Sequence, residues 1–93
     1  MKIETIDAIR HDLNTLMAKL REERDEAKLQ MHLAKAEIRD EWEKLEPKWE
    51  HFQSKVHEVG ESAQEATDDV KAGLSILADE LKDGYRRIKD AID

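Results

Sequence analysis

The four histidines could bind a metal ion or act as general bases, but their spacing does not bring them together. Metal ligands on a helix lie three or four residues apart, and no two of these histidines do; they are His11, His32, His51 and His57. No glutamate precedes any of them by three residues, as the Glu-x-x-His element of di-iron bundles requires. We therefore expect surface histidines and no metal site.

Carboxylates are plentiful, but their positions do not indicate catalysis. Asp68-Asp69 and Asp79-Glu80 fall on faces that we expect to be solvated, whereas acid–base catalysis needs a pocket that shifts pKa values. The chain has no cysteine, which excludes disulfides, thiolate zinc sites and cysteine nucleophiles. It also lacks a nucleophile elbow, a phosphate loop and a dinucleotide fingerprint. The sequence predicts no enzyme, no catalytic residue and no cofactor.

The charge pattern argues against nucleic acid as a partner. Charged residues make up 42% of the 93 residues, and the net charge is −7. Nucleic-acid binding needs clustered basic residues, and the nearest cluster is Arg86-Arg87-Lys89. Cations in the last turns of a helix also complement its dipole, and we favour that interpretation.

Apolar residues at alternating spacings of three and four predict an all-α, antiparallel coiled-coil hairpin. A disordered charged chain would lack such spacing. The pattern is a mirror about Gly60-Glu61-Ser62, in which Trp49 faces Gly73, Leu45 faces Leu77 and Ile38 faces Gly84. The predicted hairpin core is Met31, Ile38, Trp42, Leu45, Trp49, Phe52, Val56, Val70, Leu74, Leu77, Leu81 and Ile88.

Residues 60–65 carry the clearest helix boundary. Gly60 suits the left-handed position after a helix, and Ser62 with Glu65 matches a capping box. We expect a first helix over residues 3–59, a loop at 60–62 and a second helix over 63–92. Pro47 would kink the first helix rather than end it. A bend in the charged run 21–26 would instead give a three-helix bundle.

In the hairpin interpretation, residues 1–30 form an overhanging arm beside the hairpin of residues 31–93. The arm has its own apolar stripe, and a stripe left in water marks an association surface. We therefore expect a homo-oligomer, most simply a dimer assembled as a helical bundle. The predicted interface is Ile3, Ile6, Ile9, Leu13, Leu16, Met17 and Leu20. We also expect Gly73→Leu to overpack against Trp49.

Membrane contact is a second possibility for the apolar stripe. Acidic residues interrupt the N-terminus where a secretory signal would be apolar, so we expect a cytoplasmic protein. Trp42, Trp49 and Phe52 could lie in a lipid surface, yet the polar residues around them are net acidic, which favours the core.

Residues 31–92 resemble small bacterial coiled-coil proteins of the stress-response or apolipoprotein-like type. The similar stretches are Glu41-Trp42-Glu43-Lys44-Leu45 and Asp69-Val70-Lys71-Ala72-Gly73-Leu74, continued by Asp79-Glu80-Leu81-Lys82 and Tyr85-Arg86-Arg87. The resemblance implies no catalytic residues. It agrees with a non-enzymatic structural or protein-interaction module, such as a stress-response adaptor. The alternative is reversible binding of lipid surfaces or exposed hydrophobic segments.

Overall fold

The chain folds into three α-helices that pack along their lengths, as seen in a computed structural model. The structure describes residues 2–92, and the side chains of residues 2–6, 63 and 92 lie outside the described part. The helices are α1 (Lys2–Gln30), α2 (Ala36–Glu61) and α3 (Asp68–Ile92), and short 3-10 turns cover Met31–Leu33 and Ala63–Glu65. The prediction of an all-α bundle is confirmed, and the bundle measures 49 × 18 × 17 Å.

The structure divides the predicted first helix into two. Ala34 and Lys35 adopt extended backbone between α1 and α2, although neither is a glycine or a proline. This break in the helix lies after the charged run 21–26, which is where the alternative three-helix prediction places a bend. The turn lets α1 fold back and pack most extensively on α3. Burial of the α1 stripe therefore outweighs the local preference for one long helix.

Pro47 lies inside α2 without ending it, as predicted. Its side chain is exposed. Because Leu45 and Trp49 on either side are buried, the core face of α2 continues across the proline.

The loop between α2 and α3 lies further along the chain than predicted. Gly60 belongs to α2, and no described glycine has a positive φ, so its predicted left-handed role is wrong. The predicted capping box is also wrong, because α3 begins at Asp68 instead of residue 63. Thr67 caps α3: its Oγ1 accepts a hydrogen bond of 3.1 Å from the backbone N–H of Val70. Asp68 and Asp69 add negative charge where the helix dipole favours it.

This longer loop moves the α2–α3 pairing by one heptad. Gly84, seven residues beyond the predicted partner Leu77, lies against Leu45. Gly73 is exposed, and no atom lies within 4 Å of where its Cβ would be, so the predicted contact with Trp49 is wrong. A heptad shift keeps apolar residues on the seam, which is why the stripe was predicted correctly and the partners were not.

The predicted hairpin residues all lie in one core or pack against it. Seven are buried, namely Leu45, Trp49, Phe52, Val56, Leu74, Leu81 and Ile88. The other five pack against them while partly exposed, namely Met31, Ile38, Trp42, Val70 and Leu77. Sequence reasoning did not place Tyr85 or Ala78 in the core, and both are buried there.

Five of the seven residues predicted at an oligomer interface pack inside the chain. Ile9, Leu13 and Leu20 are buried in the common core, and Leu16 and Met17 pack against it. The side chains of Ile3 and Ile6 lie outside the described residues. Since α2 and α3 of the same molecule cover this stripe, it no longer requires a second copy.

Candidate functional surfaces

Arg24 makes the most elaborate polar contact of the bundle. Its Nη2 donates to both carboxylate oxygens of Glu46, each at 3.0 Å, and its Nε donates to Oε1 at 3.2 Å. The Arg24 side chain is 18% exposed and that of Glu46 is 31% exposed, so the pair is partly withdrawn from water. Such a two-pronged bond fixes the orientation of α1 on α2.

Aromatic rings from α2 and α3 surround this ion pair. The Arg24 guanidinium carbon lies 5.2 Å from the ring centroid of Trp42 and 5.5 Å from that of Trp49, within reach of a cation–π attraction. The Trp42 ring is tilted against Tyr85 with centroids 5.8 Å apart. Arg24 of α1 thus contacts Trp42 of α2, and Trp42 in turn contacts Tyr85 of α3. The cluster therefore joins all three helices.

The Tyr85 hydroxyl is the unusual member of the cluster. Tyr85 is fully buried, and its oxygen has no hydrogen-bond partner among the described residues. Burial in these surroundings raises the pKa of Tyr85 well above its ordinary value, so the phenol stays neutral. The Tyr85 ring, packed against Trp42, therefore contributes to the core through its apolar surface.

Ion pairs hold α1 along the whole length of α3. Near one end the Lys71 Nζ lies 2.7 Å from Asp12 Oδ2, and this pair lowers the pKa of Asp12 and raises that of Lys71. Near the other end Lys89 binds both Glu23 and Glu26, which raises the pKa of Lys89. The charged run 21–26 thus supplies contacts that position α1.

The histidines are dispersed over the surface, and all four are exposed. His57 Nε2 lies 3.0 Å from Glu61 Oε1. Among the described residues, this is the only histidine–carboxylate contact. Among the described side chains, no three His, Asp or Glu residues are grouped so that they could hold a metal ion. The candidates for chemistry in the sequence are therefore not brought together.

The groove between α1 and α3 is shallow and charged. The groove between α1 and α3 has a cavity volume of about 250 Å³ and is open to solvent. Charged side chains form much of its lining, namely Lys19, Glu22, Glu23, Asp79, Lys82 and Arg86. Small-molecule sites are usually deeper and mostly apolar.

Among the described residues, large apolar side chains are exposed on two surfaces. The first, here called the corner, is residues 28–35, where α1 ends and turns toward α2. It exposes 74% of Leu29 and 70% of Leu33. The ten residues from Ala27 to Ala36 contain no aspartate or glutamate, and the corner carries Lys28, His32 and Lys35. Its own residues are thus apolar and basic on a protein of net charge −7, and exposed Asp25 lines the same groove as Lys28, Leu29 and His32.

The second surface, here called the α3 outer face, centres on Ile76. This side chain is 63% exposed in the middle of α3. The residues one and two turns away along the same face are also exposed, namely Asp69, Ala72, Gly73, Asp79, Glu80 and Asp83. The α3 outer face therefore presents one large apolar side chain surrounded by carboxylates.

Sequence reasoning predicted that Asp69, Asp79 and Glu80 are solvated, and they are exposed, but it did not single out the apolar side chains of the two surfaces. Leu29, Leu33 and Ile76 fall outside the heptad stripe, and that displacement is the signal that could have marked them as exposed. The pairing of Arg24 with Glu46 depends on where α1 folds back, which the local pattern does not determine.

Comparisons with models of protein families, with curated proteins and with solved structures found no match. The resemblance to bacterial stress-response coiled-coil proteins therefore stays a prediction. Among the described residues, no helix is both long and apolar enough to cross a bilayer.

Proposed function

We propose that this protein is a non-enzymatic interaction module that binds a partner protein through its corner. Leu29 and Leu33, four residues apart and each more than two-thirds exposed, carry the proposal. Burying a leucine on binding is favourable by roughly 1.5–3 kcal/mol, so the pair could anchor a contact. Lys28 and Lys35 beside them favour a partner with carboxylates.

The rest of the bundle supports a scaffold role. Arg24 and the ion pairs at Lys71 and Lys89 fix α1 against its neighbours, so the corner is presented on a rigid support. Rigid presentation lowers the entropy lost on binding. An adaptor of this kind needs neither a pocket nor a metal. We include a cytoplasmic, stress-related setting in the proposal as the one that the sequence resemblance favours.

Photo-crosslinking in the native cell tests this proposal. A photoreactive amino acid at position 33 should give a discrete adduct with a protein partner, while the same group at exposed Lys44 on α2 should not. Adding Leu29→Glu to the position-33 protein should abolish the adduct. Equal adducts at both positions, or none at position 33, would contradict the proposal.

A lipid surface is the second candidate occupant of the corner. Exposed leucines flanked by Lys28, His32 and Lys35 also suit an anionic headgroup region. The net charge of −7 opposes approach to such a surface, which is why we rank protein first. Flotation with vesicles of phosphatidylglycerol and phosphatidylcholine separates the two, because co-flotation lost in Leu29→Glu would favour lipid.

A further inference from the structure

We infer that the corner of one molecule docks on the α3 outer face of a second copy. This inference rests on the proposed function of the corner as a docking surface and names its partner. The two surfaces lie on the same chain, so every copy would carry one of each.

The first argument is that, among the described side chains, the two surfaces are the places where large apolar groups remain exposed. Leu29 and Leu33 lie on the corner and Ile76 on the α3 outer face, with 74%, 70% and 63% of their areas in water. Beside Ile76, Ala72 and Gly73 are small, and no atom lies within 4 Å of a Cβ built on Gly73. The α3 outer face therefore leaves room for a leucine side chain to approach the helix closely.

The second argument is that the two surfaces have opposite charge. Lys28 and Lys35 make no ion pair with the described side chains, and neither do Asp69, Asp79 and Asp83. Only Glu80 on this face is paired, with Lys48 at 3.4 Å in an exposed contact. A basic apolar surface and an acidic apolar surface are complementary, whereas corner on corner or face on face would bring like charges together.

The third argument is that the two surfaces cannot meet within one molecule. Ala91 of α3 lies across a groove from Ile38, which follows the corner along α2. Ile76 is about 22 Å from that level along α3, at ~1.5 Å per residue. Contact between the corner and Ile76 therefore requires two molecules.

A contact between two different surfaces is heterologous, and its geometry has a consequence. Each docked molecule still offers one free corner or one free face, so association continues unless the ring closes. The surfaces are small, which predicts weak association. Because the charges are exposed, association should weaken as NaCl is raised from about 0.05 to about 0.5 M.

Complementary variants of the full chain test this arrangement by sedimentation velocity, at protein concentrations up to about 1 mM to suit a weak contact. The corner variant is Leu29→Glu with Leu33→Glu, and the face variant is Ile76→Lys with Asp79→Lys. All four positions are exposed, so both should fold. Circular dichroism melting checks folding, and Leu29→Ser with Leu33→Ser replaces the corner variant if it melts early. Lys44→Glu, on an exposed part of α2, is the control.

The wild type and the control should form species that grow with concentration, while each variant alone should stay monomeric. An equimolar mixture of the two variants should give a heterodimer that does not grow further, since the mixture offers one working corner and one working face. A mixture that stays monomeric would overturn the inference, as would a wild type that never associates.

The crosslinking experiment at position 33 keeps the two proposals apart. If the wild type is monomeric and position 33 still crosslinks to a different protein, the self-docking inference fails and the proposed function stands. If position 33 gives no adduct either, both fail.

Discussion

At the scale of single residues, Arg24 shows how a charge can be kept inside a small bundle. A partly buried guanidinium is costly unless its donors are used. Here Glu46 accepts from two of its nitrogens, and the Trp42 and Trp49 rings lie near the charge. This combination is specific in direction, so it selects one arrangement of α1 on α2 where an apolar contact would tolerate several.

Tyr85 gives the first prediction at this scale. Its buried hydroxyl has no described partner, so Tyr85→Phe removes an unsatisfied polar group and keeps the ring against Trp42. The free energy of unfolding should stay constant or rise, by up to about 1–3 kcal/mol. Urea denaturation measures it. Tyr85→Leu, which also removes the ring, should instead destabilise the protein.

A clear loss of stability in Tyr85→Phe would contradict this account. It would mean that the hydroxyl has a hydrogen-bond partner such as an enclosed water, and that the cluster is a polar network instead of a packing contact.

At the scale of helices, the two mid-helix glycines of α3 test the α2–α3 register. A Cβ on Gly84 would lie 2.6 Å from Leu45 Cδ2, while a Cβ on Gly73 would meet open space. Gly73→Ala should therefore stabilise by roughly 0.5–1 kcal/mol through helix propensity. Gly84→Ala gains the same propensity but overpacks a buried leucine at a typical cost of about 1–3 kcal/mol, so its net effect should be a loss.

Thermal unfolding of both variants side by side gives the answer. In the register predicted from the mirror pattern, Gly73 faces Trp49, and Gly73→Ala would be the damaging change. The mirror register also places Gly84 against Ile38, so Gly73→Ala is the deciding variant. Its destabilisation would favour the register that the structure replaces.

The seam and the class of fold could be predicted from sequence, while register and topology could not. Heptad spacing identifies which residues of α2 and α3 are buried, because that spacing is a property of each helix alone. A shift of one helix by seven residues preserves this spacing, so the pairing depends on the length of the loop. Thr67 caps α3 and Asp68 and Asp69 form its first turn, so α3 does not begin after the Ser62–Glu65 capping box predicted from sequence. The extended backbone at Ala34 and Lys35 contains no glycine or proline. The position of this turn is therefore determined by tertiary packing, which the local sequence does not show.

The corner and the α3 outer face were less predictable than the core, because their exposure depends on where the chain turns and how the helices pack. Leu29 and Leu33 belong to a region that would be the middle of a rod if the first helix were continuous, and they reach the end of the molecule only because the chain turns there. Ile76 could have been noticed, since it stands off the stripe of α3 and next to carboxylates.

At the scale of the whole molecule, the arm and the hairpin are not separable in the structure. α1 contributes Ile9, Leu13, Leu20 and Ala27 to the same core as α2 and α3. Ion pairs from α1 reach α3 near both ends, at Lys71 and at Lys89. One core shared by three helices predicts one cooperative unfolding transition.

The hairpin fragment tests that unity. Residues 36–93 alone should be poorly folded, because removal of α1 leaves one side of the core in water and a core of this size rarely supplies more than about 3–5 kcal/mol. Circular dichroism should show a shallow melt without a cooperative step. Adding a peptide of residues 1–30 should restore helical signal at equimolar ratio, since the missing face would be covered again. A fragment that melts cooperatively without the peptide would show instead that the hairpin is an independent unit, with α1 as an appended arm free to engage another molecule.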